Sequence, residues 1–351
     1  MALLICSAQL SCLSVEVSGA ETVFPAEHWQ TKAPAELGLS AALLDEVATA
    51  LGSRGCVIKD GYVVKTWGSQ SEKSDVFSSA KPVLSTLLFF AIQEGKVRSV
   101  DQPIADFGWD LLPKDRTMKF RHLASMTSGY ARPEEPGQAW AYNDYAIQLY
   151  QKTLFDKVFQ GVPEEVFHDP QRFGALGLED RFSFRKSNRR MIASVRDFAR
   201  IAWLWLNHGR WGDKQLLPAA YFDEYMHPSV PKDLPVSVDA ATNDYLGIGS
   251  YGGESKHGSN FGAGIYGFNW WFNDTGRDHM DRRTWPDAPP DAFMSLGHRG
   301  NCSLIIPSLK LVVVAAEADW GQIEPGKSDC VMNERLKLIV AAATPAATPD
   351  Q

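Results

Sequence analysis

Ser78-Ser-Ala-Lys81 sets a hydroxyl nucleophile and an amine three residues apart at the head of an apolar run. On a helix that spacing puts both side chains on one face. A serine beside a lysine can be acylated when the amine is neutral enough to take its proton. Ser183-Phe-Arg-Lys186 and Ser229-Val-Pro-Lys232 repeat the pattern, but neither opens an apolar helix. The plainer roles are a helix N-cap for Ser78 and a solvated side chain for Lys81.

The elements that must position the pair follow from the surrounding sequence. The spacing predicts a helix opening at Ser78, with Pro82 tolerated in its first turn and Gly95 suited to its end. Ala41 to Leu51 reads as a short amphipathic helix, and Cys56 to Trp67 as a hairpin turning at Asp60-Gly61. From about Asp101 to His227 the pattern is helical and loop-rich, clearest over Ile192 to Leu206. Strands are expected at Gly267 to Phe272, Phe293 to Leu296, Cys302 to Ile306 and Leu311 to Glu317, then a closing helix from Glu334 to Ala343. β-Elements at both ends with helices between them imply an α/β (α+β) class. An antiparallel sheet is assembled from both chain ends, is flanked by N- and C-terminal helices, and has a mostly helical second part beside it. The cleft between the two is where an active site is expected. The expected division is one catalytic domain over 21–343, its α/β part at about 21–100 and 240–343 and its helical part at about 101–239.

Composition bounds the function. The 351 residues are 44% hydrophobic, enough for a sizeable core, and the net charge of -7 argues against a nucleic-acid footprint. The eight histidines are scattered and no Cys-x-x-Cys occurs, so no metal or other cofactor is expected. Residues 2–15 resemble the apolar part of a signal peptide, with Ser18-Gly-Ala20 as a cleavage region, although the positive start is missing. Export to the periplasm or beyond is the expectation, and a cytoplasmic location follows if that segment is not a signal. No later segment is long and apolar enough to span a bilayer. Cys56, Cys302 and Cys330 would then remain, an odd set that allows one internal disulfide at most. Residues 344–351 read as a disordered tail.

Three further stretches give Ser78 companions: Arg121-His-Leu-Ala-Ser-Met-Thr-Ser-Gly-Tyr130, Trp140-Ala-Tyr-Asn-Asp-Tyr145 and Gly297-His-Arg-Gly-Asn301. With them the chain resembles the serine β-lactamase-like superfamily from about Leu37 to Glu317. That group holds class C β-lactamases, D-Ala-D-Ala carboxypeptidases, D-aminopeptidases and carboxylesterases of the same fold. The resemblance implies a β-lactamase/transpeptidase-like fold, Ser78 as acylated nucleophile, Lys81 as its proton acceptor and Tyr142 as proton shuttle. It implies an oxyanion hole from the backbone N–H groups of Ser78 and Asn301. His298 and Gly300 match the family's Lys-Thr-Gly motif in its His-x-Gly form, the glycine letting substrate approach the strand edge. Arg121 and His122 are structural parts of the signature. Trp270 and Trp271 read as core and cleft wall.

Asp144 departs from the family, which has asparagine two residues after the tyrosine. Ionised aspartate only accepts hydrogen bonds, so recognition of an amide substrate is put in doubt. Asp144 is expected to meet the substrate or to pair with Lys81 and keep it charged, which would favour Tyr142 as base. Asn143 is the substitute if the register shifts by one. The implied function is a serine hydrolase acting on a small-molecule carboxylic ester. The alternatives are an amide, D-amino-acid peptide or β-lactam hydrolase, and a binding or cell-wall sensor module that acylates without turnover.

Overall fold

The computed structural model describes residues 22–237, 243–252, 261–321 and 328–344. The segments read as leader and tail, part of the Gly-rich stretch before Phe261, and the Cys330 side chain lie outside the described residues.

Ser40 caps the first helix, α1 (Ala41–Leu51), by accepting the Leu43 N–H. A hairpin follows, β1 (Arg54–Lys59) and β2 (Tyr62–Trp67), whose turn residues Asp60 and Gly61 both take positive φ. Near the C-terminus come β8 (Tyr266–Gly267), β9 (Trp270–Phe272), β10 (Phe293–Gly297), β11 (Asn301–Ile306) and β12 (Leu311–Ala316). The described strands form one antiparallel sheet in the order β2-β1-β12-β11-β10-β9-β8. Both chain ends therefore build it, as the sequence pattern implies. One expected strand is in fact two: Phe268 and Asn269 both have positive φ and fold Gly267 back onto Trp270. Buried Asn269 holds that turn by accepting from Ser85 and donating to Tyr266.

α1 packs against the closing helix α8 (Ser328–Ala343), and α6 (Val195–Leu206) lies across β1, β11 and β12. The expected helix from Ile192 begins later. Met191–Ala193 is a strand, and Ser194 caps α6 by accepting the Asp197 N–H. That strand, β5, sits between β3 (Ser74–Asp75) and β4 (Ser183–Phe184) in a small second sheet that periodicity does not reveal. The remaining helical block contributes α3 (Phe120–Ala124), α4 (Asp144–Lys152), α5 (Pro163–Phe167) and α7 (Ala219–Tyr225). A hairpin of β6 (Arg210–Trp211) and β7 (Lys214–Gln215) precedes α7.

α2 (Lys81–Gln93) is buried nearly all round, as a helix apolar on every side must be. Ser78 does not open it. It lies on a separate 3₁₀ turn, Phe77–Ala80, and α2 proper starts at Lys81 with Pro82 in its first turn. Neither helix uses Ser78 as a cap. Cys56 and Cys302 are buried free thiols, and burial pushes the Cys56 thiol up to about 12. No helix among the described residues is long and apolar enough to cross a membrane.

Candidate active site

The Ser78 turn is fixed against the sheet by close backbone packing. A Cβ on Gly297, at the end of β10, would lie 2.5 Å from the Val76 carbonyl oxygen and 2.7 Å from the Ser79 nitrogen. Only a residue without a side chain lets strand and turn meet there. Behind the turn, buried Ser79 Oγ lies 2.6 Å from Ser295 Oγ, which lies 2.6 Å from Ser303 Oγ. This hydroxyl chain ties the residue after Ser78 to β10 and β11. Phe77, just before Ser78, has φ 50°. A non-glycine residue in this region costs about 1–3 kcal/mol, so surrounding contacts must hold it.

Lys81 is 1% exposed, and its Nζ lies 2.5 Å from Ser78 Oγ, 2.8 Å from Tyr142 Oη and 2.8 Å from Asp144 Oδ1. Tyr142 reaches it from the segment before α4, so sheet side and helical block meet at this amine. Burial pushes the Lys81 pKa down, Asp144 opposes with its charge, and Arg190 adds to the lowering. Desolvation wins: the amine is biased toward its neutral form. Asp144 does pair with Lys81, one of the two roles expected for it, and its charge favours the ammonium against that lowering. The Tyr142 hydroxyl is raised well above its ordinary value by burial and then by the Asp144 charge, with Ser78 opposing. Both effects favour the phenol over the phenolate. Its ring stacks on Trp271 at 6.0 Å, which in turn stacks on Phe261 at 5.0 Å, giving the site an aromatic wall.

Asp144 is 4% exposed, paired with Lys81 and packed against Gly252, so it faces the lysine rather than an open cleft. Asn143 does not substitute for it. That side chain caps α4 by accepting from Tyr145 and Ala146, and it donates to the Tyr130 carbonyl. His298 is exposed at the rim, edge-on to the Phe77 ring at 5.3 Å. Gly300 differs from its expected role. With Arg299 it forms a left-handed turn, and a Cβ would lie 1.7 Å from the Ala318 carbonyl oxygen, so the glycine admits backbone rather than substrate. Asn301 pairs across the hairpin with Gly297, and its carboxamide donates to the His298 carbonyl at 2.7 Å. His122 Nδ1 accepts the Lys119 N–H at the start of α3, a local structural bond.

Sequence reasoning missed Phe77, Tyr251 and Ser295, and the packing role of Gly297. Tyr251 lies beneath Lys81, its N–H donating to the Asp144 carbonyl and its hydroxyl to the Phe77 carbonyl. Of these, only Gly297, a glycine ending an apolar strand, carries a signal in the sequence.

Similarity to known proteins agrees with this fold. The family profile named Beta-lactamase matches residues 42–328. A β-lactamase from Mycobacterium bovis is 17% identical, with 84% of this chain and 99% of that chain covered at a TM-score of 0.57. EstCE1, a hydrolase with promiscuous acyltransferase activity, is 14% identical, with 85% and 98% covered at 0.58. A class C β-lactamase from Rhodobacter sphaeroides is 18% identical, with 86% and 98% covered at 0.54. No curated protein sequence matches. At these identities the solved structures share the fold. The extent of the profile match, over most of a chain with this sheet, identifies the protein as a member of the β-lactamase family of serine hydrolases.

Proposed function

We propose that this protein is a serine hydrolase that forms an acyl-enzyme on Ser78 and acts on carboxylic esters of modest size. The observation that carries the reading is a buried amine, biased toward neutrality, 2.5 Å from the Ser78 hydroxyl oxygen. As Ser78 Oγ bonds to the ester carbonyl carbon, its proton passes to Lys81 Nζ. The carbonyl oxygen becomes an oxyanion held by the backbone N–H groups of Ser78 and Asn301. When the carbon–alkoxide bond breaks, Tyr142 gives its proton to the alkoxide and takes one from the Lys81 ammonium, 2.8 Å away. Water then attacks the acyl-enzyme through the same proton path in reverse. The proton returns to Ser78, and the acid and alcohol are released.

The ester preference rests on Asp144. Its carboxylate is committed to Lys81, so it offers no carboxamide to an amide substrate. The likeness to a class C β-lactamase supports amide bond hydrolysis as the second reading.

Hydrolysis of p-nitrophenyl butyrate by residues 21–351 tests this against the Ser78→Ala variant. The variant is expected to keep its fold and lose more than about a thousandfold in rate. Equal turnover by both would remove Ser78 as nucleophile. Turnover of nitrocefin without ester turnover would favour the amide reading. A single burst of p-nitrophenol with no steady state would favour a sensor.

A further inference from the structure

The small sheet β3-β5-β4 has no place in the chemistry above, yet its register leads to the nucleophile. Ser74 pairs with Ala193 and Asp75 with Ile192, and the Val76 N–H then donates to the Met191 carbonyl. Continued by one residue, that register sets Arg190 opposite Phe77. The contacts agree. Arg190 Nε lies 2.8 Å from Asp75 Oδ2, and its guanidinium carbon lies 4.7 Å from the centre of the Phe77 ring. Asp75 Oδ1 in turn accepts the Phe77 N–H at 2.9 Å, while Tyr251 holds the Phe77 carbonyl from the other side. Phe77, the left-handed residue before Ser78, is thus held at its N–H, its carbonyl and its ring.

We propose that Arg190 is a positioning residue for the Ser78 reaction: through Asp75 and through the face of the Phe77 ring it fixes the left-handed turn that presents the nucleophile. The proposal rests on Ser78 being the nucleophile. A guanidinium suits the task because one edge binds a carboxylate while its plane lies on an aromatic ring, which an ammonium does not reproduce. Arg190 also acts on Lys81 by charge. Charged or titratable groups around that amine are Asp144, Tyr142, Tyr251 and Arg190, and Arg190 opposes its protonation. Arg185 shares Asp75 with Arg190 but is exposed. Loss of Arg190 should therefore misplace Ser78 and raise the Lys81 pKa together.

The test compares the parent with Arg190→Gln and Arg190→Lys, and with Arg189→Gln as a neighbouring change of equal charge. Arg189 pairs with Asp156 instead. Labelling by a fluorophosphonate, with peptide mapping, comes first. A parent that does not label at Ser78 overturns the nucleophile reading and this proposal with it. With Ser78 labelled, Arg190→Gln is expected to lower kcat for p-nitrophenyl butyrate by about 10- to 100-fold with KM little changed. The acid limb of its kcat/KM profile should move to higher pH. Arg190→Lys should restore the limb and part of the rate, and Arg189→Gln should match the parent. If Arg190→Gln does not fold, Arg190→Lys carries the test, its kcat expected below the parent's with the limb in place. Parental kcat in a folded Arg190 variant overturns the proposal. So does a rate loss in Arg190→Gln with the limb unmoved, or one in Arg190→Lys that is matched by an equal loss of folded protein at the assay temperature, because either describes a merely structural arginine.

Discussion

At the scale of residues, the proposed chemistry turns on how Lys81 is balanced. Burial and Arg190 favour the neutral amine, and Asp144 favours the ammonium. Replacing Asp144 by asparagine removes the carboxylate in contact with Nζ while keeping the side chain's size. The Lys81 pKa should then fall further, and the acid limb of kcat/KM should move to lower pH. This is opposite in sign to the shift expected for Arg190→Gln. A pH profile of p-nitrophenyl butyrate hydrolysis reads both, and a limb that moves upward in Asp144→Asn would contradict the assignment. Ser78, Lys81 and Tyr142 were all legible in the sequence as a set of residue types, and the structure brings them together. The direction of proton transfer between Lys81 and Tyr142 was not legible. It depends on which group loses more solvation, which no local pattern records.

At the scale of elements, the site depends on two contacts that bring other strands to the Ser78 turn. One is the meeting of β10 with residues 76–79 at Gly297. Gly297 has φ -135°, ordinary extended backbone, so its need for glycine is steric rather than conformational. Gly297→Ala would press a methyl onto backbone atoms that have no rotamer to yield. We expect a loss of about 1–3 kcal/mol in stability, the usual range for overpacking. Ester turnover should fall at least about tenfold because the turn itself is displaced. Urea unfolding and steady-state kinetics on one sample check both, and an alanine variant with parental values would show that β10 yields freely. The second contact is the β3–β5 pairing. β3 and β5 are two and three residues long. Runs this short show no alternation to read, which is why the sequence disclosed the large sheet and α1 but not this one.

At the scale of the whole molecule, the sheet from both chain ends and the helical block converge on one buried amine, so stability and activity share a core. His122 offers a way to follow that core by pH. Burial, then the charges of Lys119 and Arg121, lower its pKa from 6.5 to about 4. The folded protein holds this ring neutral while the unfolded chain protonates it near its ordinary value. Between those two values the unfolded state binds more protons, so stability falls as pH drops from about 6.5 to about 4, by roughly 3 kcal/mol from this group. Protonation would also cost Nδ1 its bond from the Lys119 N–H. Thermal unfolding across this range should show a steeper acid decline in the parent than in His122→Gln. Parallel curves would mean that His122 does not report on folding.

The sequence by itself determined the Ser78–Lys81 spacing, the order of its companion motifs, the hairpin at Asp60-Gly61, α1 and the antiparallel sheet built from both ends. These follow from periods, turn residues and spacings within a few residues of one another. Only the tertiary structure decided that α2 begins at Lys81 rather than Ser78, that Asp144 faces the amine, and that Gly300 admits the Ala318 backbone. It also decided that Phe77 is left-handed beneath Arg190. Each of these is set by burial or by contact between segments far apart in the chain. The free energy of such an arrangement depends on solvation and distance, which a linear order of residues does not contain.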